Sequence, residues 1–192
     1  MSSSSRGVGS SARVRVRLSQ RLTQQRRKAP APLAVPRSLV VAVPDMHSQV
    51  NLSRIMRGAA LFGVPEILTC GRGRFDRTVS RGSEDHISLR TCRTLAHPLM
   101  RLRRQGWLTV GLEQTERSES LFTFSFPERC VLVLGHERHG LTDDLIALCD
   151  HVVEIPTYGT LEGSHNASTA ALMAMYEYVK QHGGAGGSAS GV

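Results

Sequence analysis

The sequence predicts an α/β domain built on a mostly parallel sheet flanked by helices. Three observations carry that expectation. Short β-rich apolar runs alternate with helical patterns along the chain. The first of those helices places its apolar residues on one face at helical spacing. At 192 residues the chain has room for one full hydrophobic core and little more.

The elements follow in order. SLVVAV (38–43) is the first strand-like run. A helix from about Asn51 lines up Leu52, Ile55, Met56, Ala59 and Phe62, the face expected against the sheet. EILTC (66–70) is the second run, and a helical pattern spans roughly Thr94 to Arg104. WLTVGLE (107–113) and RCVLVLG (129–135) are further strands. TDDLIALC opens a helix at Thr142, with a threonine cap and two acids in the first turn, where the helix dipole favours them. HVVEIP (151–156) is the last strand, and a loop with two glycines and three small hydroxyl residues leads into a helix from Asn166 to about Gln181. Within it, AALMAMY (170–176) has no polar side, so a second subunit is expected to cover what the domain does not.

The net charge of +8 is unevenly spread. Residues 1–37 hold nine Arg/Lys and no acid, which leaves fifteen basic residues against all sixteen acidic ones in the remainder. This basic, Ser- and Pro-rich extension is expected to be disordered, as either an RNA-binding arm or an organellar transit peptide. Residues 38–182 form the folded domain, and 183–192 a flexible Gly/Ser tail. The location expected is cytoplasmic, or mitochondrial if the extension is a transit peptide. Arg72 to Arg104 contains nine arginines against Asp76, Glu84 and Asp85, a composition suited to phosphate. Cys70, Cys92, Cys130 and Cys149 show no CxxC spacing and read as reduced and structural; the histidines show no zinc pattern, and no apolar run reaches membrane-span length.

In an open parallel sheet, ligands bind at the carboxyl ends of the strands. That rule singles out PDMHSQVNLSRIMR, GHERHGLT and TYGTLEGSHN. Taken singly, Asn51 and Asn166 equally suit helix caps, Arg57 a surface arginine and Glu137 a solvated loop acid. Taken together, in this order, the three segments resemble the motifs of the TrmH (SpoU) family, ribose 2′-O-methyltransferases of the SPOUT superfamily. Asn51 and Arg57 match the first motif, Gly135 and Glu137 the second, and Ile155, Pro156, Gly159, Ser164 and Asn166 the third. The run VGLEQTERS (110–118) looks like the catalytic domain of eukaryotic enzymes that methylate the D-loop guanosine of tRNA.

The resemblance implies a C-terminal deep trefoil knot, S-adenosylmethionine held by the knot loops, a homodimer and an RNA substrate, tRNA first and rRNA as the alternative. It assigns Gly135, Ile155, Pro156, Gly159 and His165 to the donor. It assigns Arg57 to orienting the ribose 2′-hydroxyl and stabilising the developing alkoxide, with a base role as the alternative. Asn51 would position Arg57 or the ribose, Ser164 and Asn166 would hold donor or nucleotide, and Glu137 would pair with an arginine of the site. His136 and His165 depart from the family pattern. A homologue that keeps the knot and binds RNA without catalysis is the reading those two histidines favour.

Overall fold

Leu39–Val43 forms β1 and is buried at all five positions, as a strand covered on both faces of a parallel sheet must be. The structure, a computed structural model, describes residues 29–31, 33, 37–161 and 163–183. The expectations for the basic extension and the tail lie almost wholly outside the described residues. After β1 come β2 (Glu66–Cys70), β3 (Ser88–Cys92), β4 (Leu108–Leu112), β5 (Glu119–Ser120), β6 (Cys130–Leu134) and β7 (His151–Glu154). They form one sheet in the order β3-β2-β1-β6-β4-β7-β5. Every pairing is parallel, as the alternation of runs and helices predicts.

Because strand side chains alternate between faces, β1 and β6 feed two cores. Leu39, Val41, Val43, Leu132 and Leu134 pack beneath α1 (Gln49–Phe62) and α5 (Ala167–His182), against Leu52, Ile55, Met56, Ala171 and Met175. Val40, Ala42, Val131 and Val133 face the other way, onto Leu99 and Leu102 of α3 (Ala96–Arg104). Shaving a fully buried residue such as Ile55 to alanine would cost roughly 2 to 5 kcal/mol. α1 and α5 approach closely at Gly58, where a Cβ would run into the Leu172 side chain.

Several elements differ from the sequence expectation. α1 starts before Asn51, with Ser48 at its cap: the Ser48 side chain accepts from the Asn51 N–H at 3.3 Å. Two short α-helices also form, α2 (Arg77–Ser80) and α4 (Asp143–Ile146). α4 is a single turn, after which the chain must turn into β7, and the Thr142 side chain makes no capping bond. Asp150 makes that turn, its carboxylate accepting from the Thr109 N–H and hydroxyl at 2.8 Å each and from Arg103 at 2.6 Å. α5 buries Ala171, Ala174, Met175 and Tyr178 but leaves Met173 38% and Tyr176 58% exposed, so the chain covers one side of an apolar helix. The four cysteines are free, and burial pushes the Cys130 thiol up. Among the described residues no helix is long and apolar enough to cross a membrane.

Candidate active site

β6, β4 and β7 are consecutive neighbours in the sheet, so the loops leaving their carboxyl ends converge. Between them lies a cavity of about 460 Å³, bounded by Leu112–Gln114 at the end of β4, Leu134–Gly140 at the end of β6, Glu154 at the end of β7 and Ile155 just past it, and Ser164–Ala167 at the start of α5. Main chain forms much of this wall. The segment 136–140 closes on itself: the His136 N–H donates to the Gly140 carbonyl and the Gly140 N–H to that of His136, both at 2.9 Å. Gly140 has φ +64°, which a side chain would strain.

Glu113, at the end of β4, anchors this hairpin. Its carboxylate accepts from the Leu141 N–H at 2.7 Å and from the Gln114 N–H at 3.0 Å. A Cβ at Gly135 would meet Glu113 Oε2 and the Gly140 main chain at 2.9 Å, so glycine is what lets strand, acid and hairpin nest together. None of the three motifs contains Glu113. The one sequence signal for it was the VGLEQTERS run in which it sits.

The three motif segments are joined by hydrogen bonds. Glu137 reaches from the hairpin to the start of α1, where its carboxylate accepts from the N–H groups of His47 at 3.2 Å and Ser48 at 3.1 Å. Asn51 Nδ2 donates to the same carboxylate at 3.1 Å, and Asn51 Oδ1 accepts from Asn166 Nδ2 at 3.2 Å. Asn166 caps α5, its Oδ1 accepting from the Ser168 N–H at 3.0 Å and from the Ser168 hydroxyl at 2.6 Å. Burial would raise the Glu137 carboxyl, but the bonds from Asn51, Ser48 and His47 outweigh it and hold the group below its ordinary value. A carboxylate at a helix N-terminus is also favoured by the helix dipole.

This closes one alternative and corrects two expectations. Asn51 does not cap α1; Ser48 does, which frees the asparagine side chain to bond across the site. That side chain goes to Glu137 and Asn166 and makes no bond to Arg57. Glu137 pairs with no arginine among the described residues; its one ion-pair partner there is His136, with Nε2 at 3.7 Å. His136 stacks on His139, ring centroids 5.1 Å apart.

Arg57 lies elsewhere. It lines a second hollow with Arg54, Gly58 and Leu61 of α1, Thr78 and Arg81 at α2, and Leu172 of α5. Arg54, Arg57 and Arg81 are exposed, and none takes part in the ion pairs formed among the described residues. Arg81 has φ +52°, a conformation that costs a non-glycine residue energy. α2 is pinned to α1 through Ser53, whose hydroxyl donates to the Gln49 carbonyl and accepts from the Asp76 N–H, both at 2.7 Å. Gly135, Glu137, Ile155, Ser164, His165 and Asn166 line the first cavity and Asn51 is bonded to it, whereas Pro156 and Gly159 stand outside its lining.

A parallel α/β sheet with a glycine-lined cavity at its strand ends is the form of a ligand-binding enzyme domain, and comparison with known proteins makes this specific. Residues 38–176 match the SpoU rRNA Methylase family, and the chain belongs to it. It is 31% identical over 149 residues to the tRNA (guanosine(18)-2′-O)-methyltransferase of Mus musculus, which covers 74% of this chain and 9% of that protein. It is 27% identical over 151 residues to the tRNA (guanosine(18)-2′-O)-methyltransferase of Escherichia coli (strain K12), which covers 77% of this chain and 66% of that protein. The chain therefore spans under a tenth of the first relative and just under two thirds of the second. The SpoU methyltransferase AviRb from Streptomyces viridochromogenes, solved in complex with the cofactor AdoMet, superposes with a TM-score of 0.66 at 26% identity, over 79% of this chain and 62% of that one.

Proposed function

We propose that this protein is an S-adenosylmethionine-dependent RNA methyltransferase that transfers a methyl group to a ribose 2′-hydroxyl, with the D-loop guanosine of tRNA as substrate and rRNA as the alternative. The observation that carries the reading is the bonded chain from Glu137 through Asn51 to Asn166, which unites the three family motifs beside the cavity. Support for tRNA comes from the names of the mouse and Escherichia coli relatives, and for rRNA from the family's description.

The cavity suits the donor. Its volume lies in the range of small-molecule sites, and hairpin and loop backbone line it where a bent cofactor needs close main-chain approach. Gly135, Ile155 and His165 would hold the donor, while Glu113 and Glu154 set a negative wall suited to a cationic ligand. When bound, the donor supplies an electrophilic methyl group. In our reading the loop from Pro156 to Asn166 closes the trefoil knot over it.

On the acceptor side, Arg57 keeps its proton at any working pH. It orients the 2′-hydroxyl and stabilises the negative charge that develops as the oxygen loses its proton. Arg54 and Arg81, which join no ion pair among the described residues, suit the RNA backbone beside it. Arg57 does not line the donor cavity of its own chain, and a homodimer supplies the missing proximity: a two-fold contact through the exposed face of α1 and α5 carries Arg57 towards the partner's cavity. The apolar groups left open there, Leu61 at 77%, Tyr176 at 58% and Met173 at 38% exposure, support that contact.

Titration calorimetry with S-adenosylmethionine, followed by transfer of labelled methyl to a tRNA transcript and to rRNA, tests the proposal. Donor binding with transfer to one RNA and resistance of the product to alkaline cleavage is the expected result. Donor binding without transfer to any RNA would leave the non-catalytic, RNA-binding reading in its place.

A further inference from the structure

Phe122 and Tyr158 are large aromatic side chains that the fold leaves in solvent. Phe122 is 64% and Tyr158 84% exposed, yet the two rings lie nearly parallel, 12° apart in plane with centroids at 6.2 Å. They come from segments far apart in sequence, so their pairing is a tertiary feature. β5 pairs with β7 in the register Ser120↔Glu154, and the Leu121 N–H donates to the Glu154 carbonyl at 2.8 Å. Phe122 follows directly. Tyr158 stands between Ile155 and Ser164, both of which line the donor cavity. The pair therefore lies past the carboxyl ends of β5 and β7, with Tyr158 three residues beyond Ile155 of the cavity lining.

The surroundings favour an anion-bearing partner over an apolar one. Arg138 lines the cavity and Arg117 lies five positions before Phe122; both are exposed, and neither joins an ion pair among the described residues. Exposed flat rings with arginines in the segments that lead to them are the chemistry that takes an unpaired nucleobase, the ring stacking on its face and the cations meeting its phosphates. The geometry points to a base-stacking platform formed by Phe122 and Tyr158, which holds an unpaired base of the RNA next to the ribose to be methylated. This rests on the proposed RNA methyltransferase activity and adds to it a site for the nucleotide flanking the target.

The test uses the full chain and a short single-stranded oligoribonucleotide carrying 2-aminopurine, whose fluorescence is quenched on stacking. Phe122→Ala and Tyr158→Ala are each expected to weaken binding about tenfold and to abolish the quench, whereas Tyr158→Phe keeps both. Calorimetry should show unchanged affinity for S-adenosylmethionine in all three variants, which reads the donor site separately. Alanine variants that bind and quench like the unmodified protein would overturn the platform while leaving the methyltransferase reading intact. Absence of donor binding or transfer in the unmodified protein would instead break the underlying reading. A shift of either alanine variant from dimer to monomer in sedimentation would show the rings to be a protein contact, and would equally overturn the platform.

Discussion

Asn51 and Arg57 stand on one helix, about 9 Å apart along its axis, and their surroundings are opposite. Asn51 is 6% exposed and bonded on both sides of its amide, to Glu137 and to Asn166. Arg57 is exposed, and Arg54 and Arg81 beside it are likewise without an ion-pair partner among the described residues. Folding engages both the oxygen and the nitrogen of the first group, so its task is to hold three loops in one geometry. The second keeps its charge and donors uncommitted among the described residues, which suits a group that meets its partner only when the substrate arrives.

The sharpest way to break that contrast is Arg57→Ala. The variant should lose at least about a hundredfold in methyl-transfer rate while calorimetry shows donor affinity nearly intact. Loss of donor affinity with unchanged turnover would place Arg57 on the wrong side of the reaction.

Next in size is the interface that the arginine is proposed to need. Met173 is 38% exposed on the open side of α5, and Met173→Glu would bury an unpaired charge in the dimer at a cost of several kcal/mol. Sedimentation should then show monomers with transfer lost and donor binding retained. Met175 is unsuited to this test, since it is fully buried within its own chain and a charge there would unfold the domain. An unmodified protein that sediments as a monomer at micromolar concentration would refute the dimer.

Glu137→Gln tests the bonded side of the comparison. Bonds to a charged acceptor are worth roughly 1.5 to 3 kcal/mol, and a urea melt at neutral pH should show a loss of that order. The sign with pH follows from the lowered carboxyl. A depressed folded-state value means that the contribution is present above the ordinary 4.5 and is lost as pH falls through the lower folded value. The unmodified protein should therefore lose more stability on acidification than the variant. Equal acid slopes would show that the bonds to Asn51, Ser48 and His47 carry no net energy. The smallest effect belongs to Asn166→Ala, which removes the α5 cap and one Asn51 bond, for about 1 kcal/mol in the same melt; it should also loosen donor binding, because the chain entering α5 lines the cavity.

The elements legible in the sequence were those whose own composition carried the signal. β1 and β6 are buried along their whole length and read as unbroken apolar runs. α1 shows its buried face at helical spacing. β3 was not legible: SLRTC is an edge strand whose residues are exposed or half-buried, and only the register with β2 makes it a strand. β5 has two residues, too few to form a pattern. In the site, the three loops could be found because strand ends and motif spacing marked them, but Glu113 could not, since its function as anchor exists only once the Leu141 N–H is brought to it.

The sequence by itself determined the α/β class, the family, and which three loops gather at one edge, because burial periodicity and motif spacing are properties of neighbouring residues. Only the tertiary structure decided what each side chain does there. It gave Ser48 the cap that Asn51 was free to take, sent Glu137 to the start of α1 instead of to an arginine, and placed Arg57 in a hollow apart from the cavity. Each of those outcomes turns on which donor lies within about 3 Å of which acceptor. Groups up to 115 positions apart, as Asn51 and Asn166 are, meet at that distance only after the sheet has brought them together.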